Sequence, residues 1–245
     1  MDALVIKVRK GGRVRSQSIM LSIGINADGR REILGIHLGD SESFQSWSEY
    51  LSGLKQRGLR GVDLVVSDHH SGLVKAIQTQ FQGAVWQRCQ THLMRNILNA
   101  TPKKLQKEVR NQLRLIFMAP DIKTARVLLN STLTTYQDEA PKAMEVLENG
   151  FDDAVAVLVM PECYRKKLRT TNIVEREIEE IRRRERVIRI FPNEESAIRL
   201  MGALLLERDE LWSTRRREMD MADYMEWKQK EQSKSEDLDG KEAAD

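Results

Sequence analysis

The sequence predicts an α/β domain: a mixed five-stranded sheet flanked by helices, with an all-helical insertion before the last helices of the core. Three observations carry that prediction. Residues 2–38 alternate apolar and polar positions between two short turns. Residues 41–99 switch repeatedly between helical and strand spacing, and residues 101–160 keep a helical period throughout.

In the first stretch Leu4, Ile6 and Val8 alternate with polar or basic residues, and Gly11-Gly12 supplies a turn that tolerates positive φ. Val14–Ile25 is the second strand, Asn26-Ala27-Asp28-Gly29 the second turn, and Arg31–Leu38 the third strand. Strands joined so tightly form an antiparallel meander. In Ser41–Lys55, Phe44, Trp47, Leu51 and Leu54 recur three or four apart and make one apolar helical face. Gly61–Val66 returns to strand and runs into Asp68, Ser71–Phe81 is helical, and Gly83–Arg88 is a fifth short strand. A further helix is expected from about Thr91 to Asn99. That order, three antiparallel strands and then alternating helix and strand, is the order of a ribonuclease H-like core. In such a core the first and fourth strands lie side by side, which sets Asp2 near Asp68.

From Thr101 to about Met160 the stripes Leu105, Val109, Leu113, Ile116 and then Ala125, Leu128, Leu129 read as helices, punctuated by Pro102, Pro120, Pro141 and Pro161. Asn172 opens a highly charged helix. Glu194–Trp212 carries Ile198, Met201, Leu204 and Leu205 on one side and is expected to bury that face. The expected organisation is therefore 1–100 for the first part of the core, 101–163 for the insertion, 164–227 for the closing helices and 228–245 for a disordered charged tail.

Composition narrows the class. Of 245 residues, 40% are hydrophobic and 31% charged, ordinary for a soluble protein rich in exposed helix. No apolar run reaches the roughly 18 residues that suggest a membrane span, and the first residues lack the regions of a signal peptide. A cytoplasmic location without membrane partners is expected. Cys89 and Cys163 are too few for a disulfide framework. The net charge is only +3, but basic residues cluster at 7–15, along 103–114, in Tyr164–Arg169 and in Arg182–Arg189. Such clusters bind phosphate backbones or form solvated helix faces.

Three carboxylates around two divalent metals catalyse in-line displacement at phosphorus, and Mg²⁺ or Mn²⁺ accepts such hard oxygen donors. Asp2, Asp68 and Glu175 supply that set if Glu175 faces the sheet edge. Each has a structural alternative: Asp2 as an exposed terminal residue, Asp68 as the cap of the next helix, and Glu175 as the capping-box partner of Asn172. Cys89 and His92 lie three apart, two ligands short of a structural zinc site, so packing and local hydrogen bonding is the expectation there. Walker, dinucleotide-binding and nucleophile-elbow motifs are absent.

Several stretches in the right order resemble one family. They are Asp2–Arg9 with Gly11-Gly12-Arg13-Val14, Ile25 to Gly35, Gly39-Asp40-Ser41-Glu42-Ser43, Val66-Ser67-Asp68, and Trp86-Gln87-Arg88-Cys89-Gln90-Thr91-His92. Tyr164 to Asn172, Glu175-Arg176, Ile181 to Arg184 and Phe191-Pro192-Asn193 complete the set. Together they resemble the mutator-type transposases of bacterial insertion sequences (the insertion sequence 256 group), members of the DDE recombinase superfamily with a ribonuclease H-like catalytic domain. The resemblance implies that Asp2 and Asp68 are the catalytic aspartates, Glu175 is the third acidic ligand, and Mg²⁺ or Mn²⁺ is the cofactor. It makes Cys89 and His92 the family's Cys-x-x-His signature. Its implied partners are insertion-sequence ends, target DNA and further copies of the chain. Candidate DNA contacts are Arg165, Lys166, Lys167 and Arg169, and Arg182, Arg183 and Arg184 through phosphates.

Two departures from the family pattern bear on activity. The family carries a helical DNA-binding region before the first aspartate, whereas this sequence begins one residue ahead of Asp2, so an N-terminal truncation is expected. Glu177-Ile178-Glu179 stands where Leu-Asn and a polar or charged residue are common, so Ile178 replaces an amide that could orient Glu175. The leading expectation is a transposase catalytic domain that cleaves and transfers DNA strands. The alternatives are a catalytically impaired remnant that binds DNA or full-length transposase without cleaving, and a stand-alone ribonuclease H-like nuclease.

Overall fold

A computed structural model describes residues 1–230 and 233. The expected meander forms: β1 (Asp2–Lys10), β2 (Arg13–Ile25) and β3 (Arg31–Gly39) pair antiparallel in that order. The alternation in β1 works as its sequence requires, with Leu4, Ile6 and Val8 buried while Val5 is exposed. β2 is buried continuously from Gln17 to Ser22, because a central strand is covered on both faces.

α1 (Phe44–Gln56) follows, capped by Ser43, whose side chain accepts from the Ser46 N–H. β4 (Leu64–Ser67) and β5 (Val85–Arg88) are parallel, with α2 (Ser71–Gln80) between them and α3 (Gln90–Ala100) after them. The expected single sheet is not what forms. Five strands are present, but as one sheet of three and one of two. One hydrogen bond, from the Met1 nitrogen to the Val66 carbonyl (2.8 Å), links the start of β1 to β4. Farther along β1, the Lys7 carbonyl and the Arg9 N–H bond instead to Phe191 (both 2.9 Å). The two strands thus touch at one end only.

Three layers result. On one face of the three-stranded sheet lie α8 (Asn172–Ile188) and α9 (Glu194–Ser213), which bring Val174, Ile178, Ile181, Ala197 and Met201 against Leu4, Ile6, Val8, Ile19 and Leu21. On the other face Met20 meets Trp47, Tyr50, Leu51 and Leu54 of α1 and Leu73 and Ile77 of α2. Ala197 takes the deeply buried place on α9 that spacing gave to Ile198, because the small side chain lets the helix lie close to the sheet.

Helices also fill the stretch between α3 and α8: α4 (Gln106–Phe117), α5 (Ile122–Tyr136), α6 (Pro141–Val155) and α7 (Glu162–Leu168). Val109, Leu113, Ile116, Ala125, Leu147 and Phe151 form a core of their own with Leu93 and Ile97 of α3. Gln87 ties that unit to β5. Its amide donates to the Ala154 carbonyl (2.8 Å), and its carbonyl oxygen accepts from the Val157 N–H (2.6 Å). A last helical stretch, 222–230, reaches back to β4 through Lys228 and Tyr224, which both bond to Asp63. Residues 228–230 are therefore helical rather than the start of a tail, and 231–245, apart from 233, lie outside the described residues.

Gly29 is the turn position with least latitude. Its φ is +77°, and an added Cβ would lie 1.9 Å from the Met219 carbonyl oxygen. Gly29→Ala costs about 1–2 kcal/mol for the left-handed backbone alone, and the clash adds to it by breaking the contact with Glu218 and Met219. Equilibrium unfolding should show a loss above that range, whereas a loss under 1 kcal/mol would contradict the packing of this turn.

Candidate catalytic site

The end of β4 is fastened on three sides. The Cys89 N–H donates to the Ser67 carbonyl (2.7 Å), the Trp86 indole donates to the Ser67 hydroxyl (2.9 Å), and that hydroxyl donates to the Asp68 carbonyl (2.8 Å). Asp68 follows immediately, half-buried at the rim. It does not cap α2, whose N-cap is His70 and has no side-chain capping bond. Among the described residues its carboxylate has no hydrogen-bond partner, so the structural alternative for Asp68 fails.

Asp2 opens β1 and is also half-buried, not an exposed terminal residue. Its Oδ1 accepts from the Ala3 N–H (2.8 Å), and Oδ2 has no hydrogen-bond partner among the described residues. Burial pushes its carboxyl above the ordinary range, and the Asp68 charge adds to that. The Ala3 N–H, the Met1 amino group and His92 pull the other way. Asp2 and Asp68 thus stand within each other's field.

Two neighbours escaped the sequence reading as site residues. Glu42, on the loop before α1, is raised by burial and by Asp68 and Asp2, against the pull of His70. Its only signal was its place in the Gly39–Ser43 stretch. Arg88, 8% exposed at the end of β5, is pushed down by burial while Asp153 and Asp68 oppose that shift. It is a buried cation facing the acidic rim.

Glu175 is brought to the same end of the sheet but keeps different company. Cys89, His92 and Glu175 offer ligand atoms that all lie within 4.8 Å of one another, and Asp2 and Asp68 fall outside that group. Glu175 Oε1 is 3.7 Å from His92 Nε2 and accepts from the Thr171 hydroxyl (2.7 Å). Thr171, not Asn172, is the N-cap of α8, so the capping-box alternative for Glu175 fails as well. The Thr171 hydroxyl also lies 3.2 Å from the Cys89 sulfur, and its N–H donates to that sulfur at 3.4 Å. A hydroxyl has one proton, so Thr171 cannot donate to carboxylate and sulfur at once. Its single proton therefore serves the Glu175 carboxylate or the Cys89 sulfur, one at a time. Burial pushes that thiol up, but the nearby His92 and Thr171 donors outweigh burial and hold it below its ordinary value. The adjacent Cys89 sulfur raises His92 despite burial, and the Glu175 and Asp2 charges add to the rise.

Ile178, expected to weaken the surroundings of Glu175, is 5% exposed and packs against the sheet with Val174 and Ile181. Its neighbour Glu177 is bound by the Arg208 guanidinium through two bonds of 2.8 Å. Several candidate DNA contacts have partners within the fold. Arg183 and Arg184 pair with Glu180 (2.7 and 3.1 Å), and Arg182 lies 3.9 Å from Glu179. Arg165 donates to the carbonyls of Met160 and Pro120, and Lys167 pairs with Glu218. Among the described residues, Lys166 and Arg169 make no ion pair.

A family model described as the mutator family of transposases matches residues 1–215. The chain belongs to the mutator family of transposases. It is 44% identical over 213 residues to the transposase for insertion sequence element IS256 in transposon Tn4001 of Staphylococcus aureus, an overlap of 86% of this chain and 54% of the relative. It is 40% identical over 228 residues to the transposase for ISRM5 of Rhizobium meliloti, covering 93% of this chain and 57% of that protein. The transposase for IS1081 of Mycobacterium tuberculosis is 40% identical over 216 residues, covering 88% and 52% respectively. The chain spans about half the length of these curated relatives.

The raised Asp2 carboxyl has a measurable consequence. Ionising it costs folding free energy above its folded-state value, and the cost disappears as pH falls below the ordinary 3.8. In chelator-treated buffer Asp2→Asn should raise the melting temperature at pH 7, with the gain shrinking steadily toward pH 4. A variant less stable than wild type at pH 7 would contradict a desolvated carboxylate.

Proposed function

We propose that the chain is the catalytic domain of an insertion-sequence transposase, with a ribonuclease H-like core, that cleaves and transfers DNA strands through Asp2, Asp68 and Glu175. One observation carries the reading: the Asp68 carboxylate does not cap α2 and has no hydrogen-bond partner among the described residues, and it follows the end of β4 that the start of β1 meets. The split into two sheets is compatible with that core, since β1 and β4 meet at the end where the aspartates lie.

The donors suit Mg²⁺ or Mn²⁺. Among the described residues the Asp68 carboxylate accepts no hydrogen bond, and Asp2 commits only one of its oxygens. When bound there, such ions supply charge stabilisation to attacking and leaving oxygens at phosphorus. The protein's own contribution is placement. The Ser67 network fixes the backbone at Asp68, and the Ala3 N–H fixes the rotamer of Asp2. Thr171 aims Glu175 from α8 toward the same end. Lys166 and Arg169, which make no ion pair among the described residues, are the strongest candidates for phosphate contacts. Arg182, Arg183 and Arg184 would exchange glutamate partners for phosphates. Assembly into a homo-oligomer on insertion-sequence ends belongs to the same proposal.

A second reading is favoured by the position of Glu175. Because it groups with Cys89 and His92 and not with the aspartates, the chain could bind DNA without cutting it. Duplexes carrying mutator-type terminal repeats, incubated with the purified chain and Mg²⁺ or Mn²⁺, separate the two. The proposal expects metal-dependent nicking that Asp68→Asn lowers by more than about 100-fold. Cleavage that persists in excess chelator would overturn it. Steeply salt-dependent binding with no cleavage at any metal concentration would favour the second reading.

A further inference from the structure

The cluster behind the aspartates has the donor chemistry of a different cation. Cys89 presents a sulfur from the N-cap position of α3, His92 stands one turn on, and Glu175 faces both from the first turn of α8. All three ligand atoms already lie within 4.8 Å of one another. Tetrahedral bonds of about 2.1 Å to nitrogen and oxygen set those two atoms about 3.4 Å apart. His92 Nε2 and Glu175 Oε1 are 3.7 Å apart, so little movement is needed.

We propose that Cys89, His92 and Glu175 form a three-donor site for a borderline-soft divalent cation such as Zn²⁺, with its fourth position open to solvent.

Three observations support it beyond proximity. His92 Nδ1 is buried and has no hydrogen-bond partner among the described residues, so the ring is not held by another side chain on that side. The Thr171 N–H points at the Cys89 sulfur (3.4 Å), the kind of donor that supports a ligating thiolate. The Thr171 hydroxyl touches both Cys89 and Glu175 and holds two of the three donors in register. Sulfur and imidazole select Zn²⁺ or Co²⁺ over Mg²⁺, which separates this site from the all-oxygen aspartate rim. Binding forms a bond to sulfur and releases the thiol proton to solvent, with no change of oxidation state. The inference stands whether or not the chain cuts DNA. Where it does, occupancy ties up Glu175 and competes with the Mg²⁺ set.

Co²⁺ reports the site without reference to activity. In a Cys163→Ser background, metal-free protein titrated with Co²⁺ under excess Mg²⁺ should develop a near-ultraviolet sulfur-to-cobalt charge-transfer band, saturating at one ion per chain and bleached by Zn²⁺. Cys89→Ser should abolish the band, and Glu175→Gln should weaken binding at least about 10-fold. Asp68→Asn, which disables the proposed catalytic set, should leave the titration unchanged. Circular dichroism checks folding, and His92→Gln serves as the sulfur-retaining variant if Cys89→Ser does not fold. Its affinity should also fall. Absence of the band in the folded background protein, or retention of full affinity in His92→Gln, would overturn the proposal.

Discussion

Asp2 and Asp68 are like charges taken partly out of water and held in each other's field, and folding such a pair costs free energy unless something else fixes the chain there. What fixes it is the backbone at the ends of two strands. Ser67 is anchored by Cys89 and Trp86, and the Met1 nitrogen crosses to Val66. The apolar layers on both faces of the sheet supply the driving force. The sheet is clamped between α8 and α9 on one side and α1 and α2 on the other, so its rim is not free to relax away from the repulsion.

The same rim joins parts distant in sequence. Gln87 and Gln90 bind the Ala154 carbonyl and seat the helical unit against β5. The Gln90 N–H donates to the Arg169 carbonyl (3.0 Å), which carries the chain into Thr171 and so sets where Glu175 emerges. Glu175 is therefore positioned by residues more than eighty places earlier, through Cys89 and the start of α3. The Glu177–Arg208 pair then locks α8 to α9, with Glu177 4% exposed and satisfied by two guanidinium bonds. Such a buried pair registers the two helices more than it stabilises them.

Much of the fold was legible because its signals are local. The period of two in β1, the glycines at the first turn and the three-four spacing of Trp47, Leu51 and Leu54 each dictate structure from neighbours alone. The failures are non-local or depend on backbone angles. Nothing in β1 reveals that its far edge is claimed by Phe191, which leaves only one end to meet β4. The caps of α2 and α8 fall at His70 and Thr171 because of the path into each helix, which residue types at Asp68 and Asn172 do not encode. In the candidate site, the approach of the strand ends that carry Asp2 and Asp68 was readable from strand order. Thr171 was not, since one of two adjacent threonines after a basic stretch carries no signal until α3 and α8 are brought together. The arginines of α8 illustrate the same limit: their glutamate partners sit one turn away and convert a basic run into a largely self-paired face.

The central claim is that the strand-end aspartates, and not the neighbouring sulfur-containing cluster, form the hard-cation site. Crystals of the chain soaked in Mn²⁺ and measured for anomalous scattering test it most directly. The account predicts a Mn²⁺ peak within coordination distance of both the Asp2 and Asp68 carboxylates. Mn²⁺ bound only by Cys89, His92 and Glu175, with the two aspartates free, would contradict it.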